Sequence, residues 1–196
     1  MREIIDHKFV EFPFADYLLV FISIIVGYVV TEFFAGWGGL IRNRENVKIY
    51  WLHLLWTFNF FFQLIENWWW LWGNRLKLAE HIYYFAFSLA SPLVFYLITV
   101  FLFPSIKEDQ KTDFKNYYFK NTPYIFTLFA ILMCVYFVNN IWIKQQATFG
   151  IDNLFCISGF AFSFLYIFIK KEWFHVTGYI VGASIFFGYV MINSTK

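Results

Sequence analysis

Charge is what this sequence has least of. Aspartate, glutamate, lysine and arginine make up 14% of its 196 residues, against 60% hydrophobic residues and a mean hydropathy of +0.56. A soluble domain carries about 25% charged residues, so the shortfall excludes one and points to a polytopic membrane protein. Cysteine is scarce as well. Cys134 and Cys156 both lie inside apolar segments, which reads as small core residues rather than a disulfide or ligand pair. The basic residues are dispersed and the net charge is only +2, so direct nucleic-acid binding is not expected. A secretory layout is missing too: residues 1–16 are charged throughout, and no small-residue cleavage site follows a short apolar core. The first spanning helix is expected to serve as its own insertion signal. Finally, there is no HExxH, no Walker lysine motif, no GxSxG and no cysteine-rich metal spacing. The chain therefore reads as non-enzymatic, with no catalytic residues, no metal and no cofactor expected.

What is present in excess is aromatic. Phe, Tyr and Trp make up 26% of the chain, an amount that bilayer-facing phenylalanine and interfacial tryptophan and tyrosine explain. Apolar runs predict an all-α fold, a single transmembrane domain over 1–196 with about six spans at 17–41, 49–73, 80–103, 124–143, 151–169 and 173–192. Residues 1–16 read either as a short interfacial helix broken at Pro13 or as a disordered terminus. Span one ends in a glycine-rich run with Gly36, Gly38 and Gly39, which permits close helix approach or fraying. Span three should kink near Pro92 and stop at Pro104. The segment 104–123 is the long connection. Phe114, Tyr117 and Tyr118 sit there at helical spacing, suited to the membrane surface, and a cytoplasmic protein partner would dock there most readily.

Six spans place both termini on one face. That face carries Arg2, Lys8, Arg75, Lys77, Lys144 and Lys196, six basic residues against nine on the other. The positive-inside rule then puts the termini outside and 104–123 in the cytoplasm, in a multi-pass protein of the bacterial inner membrane.

The second span is unusual in carrying His53, Asn59, Gln63, Glu66 and Asn67 among Leu, Phe and Trp. At roughly 100° per residue, Leu52, Trp56, Asn59, Gln63, Glu66 and Trp70 fall within about 80° of one another, with Asn67 beside them. Such a stripe turns toward other helices or a watery cavity, because lipid satisfies neither amides nor carboxylates. Asn139, Asn140 and Lys144 at the end of span four, and Asp152 and Asn153 at the start of span five, belong to the same half-membrane. The expected polar path is Asn59, Gln63, Glu66, Asn67, Asn139, Asn140 and Asp152. The bland reading of Glu66 is a carboxylate reaching the interface beside the Trp68–Trp72 belt. In the opposite half, Glu32 and His53 differ in height by only about 6 Å, which allows a proton-sharing or hydrogen-bonded pair. A histidine satisfied by a helix partner is the plainer reading of His53. His53 and His175 enter from the same face, and no motif supports a haem between them. Gly178, Gly182 and Gly188 form a small-residue stripe on span six, fit for packing within the chain or at a homo-oligomer seam.

Two segments carry a resemblance: residues 22–27 (ISIIVG) with Thr31, then residues 50–56 (YWLHLLW), Trp68 and Trp69, with Leu-Phe-Pro at 102–104. Together they resemble a group of small aromatic-rich bacterial integral membrane proteins of unknown function, which implies a membrane bundle and no particular activity. In size and Phe/Lys/Asn-rich character the chain is also similar to a membrane accessory protein of RNA-targeting type VI CRISPR systems, which implies a role in antiviral defence. The sequence is thus expected to encode an oligomeric channel, pore or membrane-perturbing accessory. The alternatives are a membrane sensor or adaptor docking a soluble partner through 104–123, and a small-molecule transporter, although no inverted repeat is evident.

Overall fold

The computed structural model describes residues 2–105, 111–145 and 147–194. Among them the elements are α1 (Arg2–Arg42), a 3-10 turn (Arg44–Asn46), β1 (Val47–Lys48), α2 (Trp51–Gly73), α3 (Arg75–Glu80), α4 (Ile82–Ser88), α5 (Ala90–Leu102), β2 (Thr112–Asp113), α6 (Phe114–Trp142), α7 (Ile151–Phe168) and α8 (Glu172–Ser194). The fold is an all-α membrane bundle. Among the described residues, five segments are long and apolar enough to cross a bilayer: Phe14–Arg42, Ile82–Leu102, Phe114–Trp142, Ile151–Phe168 and Glu172–Met191. The second helix is as long, at 23 residues, but its polar stripe lowers its hydropathy. It runs through the middle of the bundle, packed by α1, α5, α6 and α8, and buries Leu52, Trp56, Phe60, Leu64 and Leu71.

Local chemistry explains where the helices stop and bend. At the end of α1 the side chain and backbone N–H of Asn43 both reach the Gly39 carbonyl, at 2.9 and 3.1 Å. Asn74 repeats this device on the Trp70 carbonyl after α2. Span three is interrupted at Leu89, between α4 and α5. Pro92 there has no N–H to offer the Ser88 carbonyl, and the Ser91 hydroxyl takes that carbonyl at 3.1 Å instead. The α1–α5 contact is close because Gly36 lacks a side chain: a Cβ there would lie 2.3 Å from the Phe103 ring. Gly38 and Gly39 would meet nothing within 4 Å, so only one of the three glycines serves the close approach. Two indoles pin α1 to α2: Trp37 donates to the Thr57 hydroxyl at 2.9 Å and Trp68 to Ser23 at 3.1 Å. Trp68 is therefore an interhelical tie, while Trp69 stays in the exposed belt.

Two expectations need correction. The helix α1 continues through Pro13 without a break. More consequentially, α6 begins at Phe114, ten residues before the expected span. Of the expected 104–123 docking loop, residues 106–110 lie outside the described residues, and residues 114–123 are the first turns of a packed helix. Asp113 caps that helix, accepting from the backbone N–H groups of Lys115 (2.9 Å) and Asn116 (3.2 Å). Pro123 lies inside it without ending it, and in the turn before it the side chains of Asn121 and Thr122 donate to the Tyr117 and Tyr118 carbonyls, at 3.0 and 2.8 Å. Phe114 and Tyr118 are fully buried and do not lie on a membrane surface.

The loops after α1 and α5 meet as a short parallel pair, Val47 opposite Thr112 and Lys48 opposite Asp113. Lys115 reaches Glu172 beside them at 2.6 Å. This face of the molecule, holding 43–50, 103–105, 111–113 and 169–171 among the described residues, is tied together. On the other face Arg75 reaches Asp16 at 3.1 Å, and the turn between α6 and α7 passes through Gln145 in the left-handed region (φ 53°).

Candidate functional site

The two halves of the bundle interior differ in chemistry. Behind the tied face sits a layer of rings: His53, Phe114, Tyr118, Phe126 and His175, all buried. Each histidine answers a helix end. The Leu102 carbonyl at the end of α5 lacks a helical partner because Pro104 ends the helix, and His53 Nε2 takes it at 2.8 Å. The Ile169 carbonyl just beyond α7 is taken by His175 Nε2, also at 2.8 Å. A carbonyl only accepts, so both imidazoles carry their proton on Nε2. His175 Nδ1 is then the acceptor for the Tyr118 hydroxyl at 2.8 Å. His53 Nδ1 has no hydrogen-bond partner.

This arrangement corrects one expectation. Glu32 does not pair with His53: it lies beside Tyr28 and Tyr96, between α1 and α5. The two side chains face different neighbours. The histidines are also unsuited to an axial ligand pair, since both Nε2 atoms are committed to carbonyls.

The other half contains the polar residues. Gln63, Glu66 and Asn67 of α2, Asn139 and Asn140 of α6, and Asp152 of α7 surround one cavity of about 30 Å³, room for roughly two waters. Six of the seven residues expected along a polar path are thus brought together. The seventh, Asn59, lines a deeper cavity of about 40 Å³ that shares Gln63, Phe155 and Phe186 with the first. Gln63 donates to the Asn59 side-chain oxygen one turn away, so these two amides satisfy each other where the cavities meet. Among the described residues, no group of three or more histidine, cysteine, aspartate or glutamate side chains could hold a metal ion.

The polar atoms around the outer cavity are incompletely matched by protein. Asn67 Nδ2, Tyr136 Oη and Asn139 Oδ1 are buried without a hydrogen-bond partner. Among the described residues Asn140 reaches the Cys156 sulfur, at 3.9 Å. Lys144 pairs with Asp152 at 3.2 Å and lies 5.8 Å from the Trp70 ring centre. Glu66 feels both charges, yet among the described residues no cation stands within ion-pair distance of it. Asn153 points elsewhere and donates to the Ala147 carbonyl at 3.0 Å, holding the α6–α7 turn.

Three lining residues that carry a hydroxyl or thiol were not among those expected: Tyr136, Cys156 and Tyr189. Tyr136 stands one turn before Asn139 and Asn140, and Cys156 one turn after Asp152, so helical spacing alone could have found them. Nothing in the sequence marks Tyr189, which α8 brings in stacked on Phe155 with ring centres 4.7 Å apart. The glycine stripe of α8 is likewise divided. A Cβ at Gly178 would lie 2.2 Å from the Tyr166 hydroxyl, so this glycine packs within the chain; at Gly182 and Gly188 it would meet nothing within 4 Å. No protein-family model, curated protein or solved structure matches the chain.

Proposed function

We propose that this protein is a non-enzymatic membrane protein that takes a small polar solute or ion into the half-membrane vestibule between α2, α6, α7 and α8, and passes it on only when the ring layer on the far side gives way. One observation carries the reading: two carboxylates and four amides face a common cavity in which Asn67, Tyr136 and Asn139 each leave a buried polar atom unmatched by protein. Such atoms cost about 1–3 kcal/mol each unless water or a ligand meets them, and that cost makes the residues poor choices for a merely structural core. Among the described residues, nothing polar of comparable density continues past Asn59. The Tyr118–His175 and His53–Leu102 contacts lie across the way, so the geometry favours a gated path or a carrier over a standing pore.

Flux of potassium, sodium or protons into proteoliposomes tests this. The expected result is a measurable flux that falls when Gln63→Leu and Glu66→Gln are combined, and rises in Tyr118→Ala. Flux indifferent to both changes, or no flux with any of the three ions, overturns the reading.

A further inference from the structure

Glu66 borders a second space. On the outer side of α2 and α8 a groove of about 340 Å³ is lined by Phe62, Ile65, Glu66, Trp69, Phe186, Phe187 and Val190. Phe62 and Phe187 bridge it, with ring centres 6.3 Å apart. Its volume falls within the range of small-molecule sites, about 300–1,000 Å³, whereas the inner cavities hold only about 30 and 40 Å³. Phe62, Ile65, Trp69 and Phe187 are exposed on the bundle's outer surface, the side a bilayer covers. The groove thus opens to lipid, its walls are apolar and aromatic, and its one charged residue is a carboxylate.

We infer that this groove is a binding site for a lipophilic organic monocation that enters sideways from the bilayer. Three features select that class over a lipid tail or a neutral apolar molecule. The carboxylate of Glu66 has no ion-pair partner among the described residues, because Lys144, the nearest cation acting on it, is engaged by Asp152. A negative charge at the edge of lipid is costly alone and is relieved by a positive one. The ring faces of Phe62, Trp69 and Phe187 attract a diffuse cation while excluding a strongly hydrated one. An anion would meet Glu66 unfavourably, and an acyl chain would fill the groove without using it. The inference goes beyond the vestibule reading and shares only Glu66 and Phe186 with it.

The test is equilibrium binding of radiolabelled methyltriphenylphosphonium to the full chain in lipid nanodiscs, with empty nanodiscs subtracted. Saturable binding at one site per chain is expected. Glu66→Gln should weaken it about tenfold or more, equivalent to about 1.4 kcal/mol, and Glu66→Asp should recover part of the loss. Phe187→Ala, which does not touch the vestibule, should also weaken binding while leaving ion flux intact. Asn140→Ala should lower flux and leave cation binding unchanged, so failure of the groove and failure of the vestibule are told apart. Displacement by 1,1,1-triphenylethane, the uncharged carbon analogue, at equal membrane concentration overturns the proposal. So does affinity indifferent to Glu66→Gln in a variant that remains monodisperse, or binding that never saturates.

Discussion

His175 and Asn139 are both almost wholly buried polar side chains, yet they stand in opposite situations. His175 bonds through both ring nitrogens, to the Ile169 carbonyl and the Tyr118 hydroxyl. Asn139 leaves its side-chain oxygen unmatched in a cavity. The same difference separates the two halves of the bundle. In the half behind residues 43–50 and 111–113, histidines close open helix ends and the space between is filled with rings. In the half nearer residues 74–81 and 147–150, amides and carboxylates converge and leave several polar atoms unmatched. A polar group that finishes a backbone is part of the scaffold; one that is aimed into space is available for something else.

Unfolding measurements in micelles sharpen that contrast. His175→Ala should be the costliest change, about 4 kcal/mol, because it orphans a buried carbonyl and a buried hydroxyl at about 1–3 kcal/mol each and opens a cavity among the rings. Gly178→Ala should cost about 2 kcal/mol by driving a methyl group into Tyr166, against almost nothing for Gly182→Ala. Asn139→Ala should change stability by less than about 1 kcal/mol while lowering flux, as expected where function is held at the expense of stability. If Asn139→Ala proved as destabilising as His175→Ala, the distinction between the halves would be lost.

The smallest expected effect is a pH dependence at the tied face. The backbone N–H groups of Asn116 and then Lys115, with the Lys48 ammonium 3.7 Å away, hold the Asp113 carboxyl below its ordinary value. A carboxyl lowered by folding stabilises the folded state fully above its unfolded pKa and loses that contribution as pH falls through the lower folded value. The start of α6 should therefore loosen only below about pH 4. Hydrogen exchange of the Lys115 and Asn116 amides should show it, and Asp113→Ala should show the same loosening at neutral pH.

Much of the vestibule was legible before any tertiary information. The polar stripe on α2 follows from a period of 3.6 residues, and its partners were marked by amides and a carboxylate near the α6–α7 turn, where polar residues inside spans are rare. The failures have specific causes. Glu32 and His53 were matched by depth, but depth says nothing about the direction each side chain faces, and α1 turns Glu32 toward Tyr28. Pro123 reads as a helix boundary, whereas α6 runs through it from Phe114, which removed the expected surface segment and buried Tyr118. Gly178, Gly182 and Gly188 look alike in a stripe, and only Gly178 has a neighbour that demands its lack of a side chain.

Hydropathy and helical period belong to consecutive residues. The sequence by itself therefore determined a membrane bundle, the approximate spans and the existence of a polar face on α2. Which side chain of one helix meets which side chain or carbonyl of another depends on the rotation of every helix about its own axis, and that is settled only when all of them pack together. Only the tertiary structure decided that His53 and His175 would close helix ends, and that Tyr189 would join the vestibule. The same packing placed Glu66 on the wall between that vestibule and a groove open to lipid.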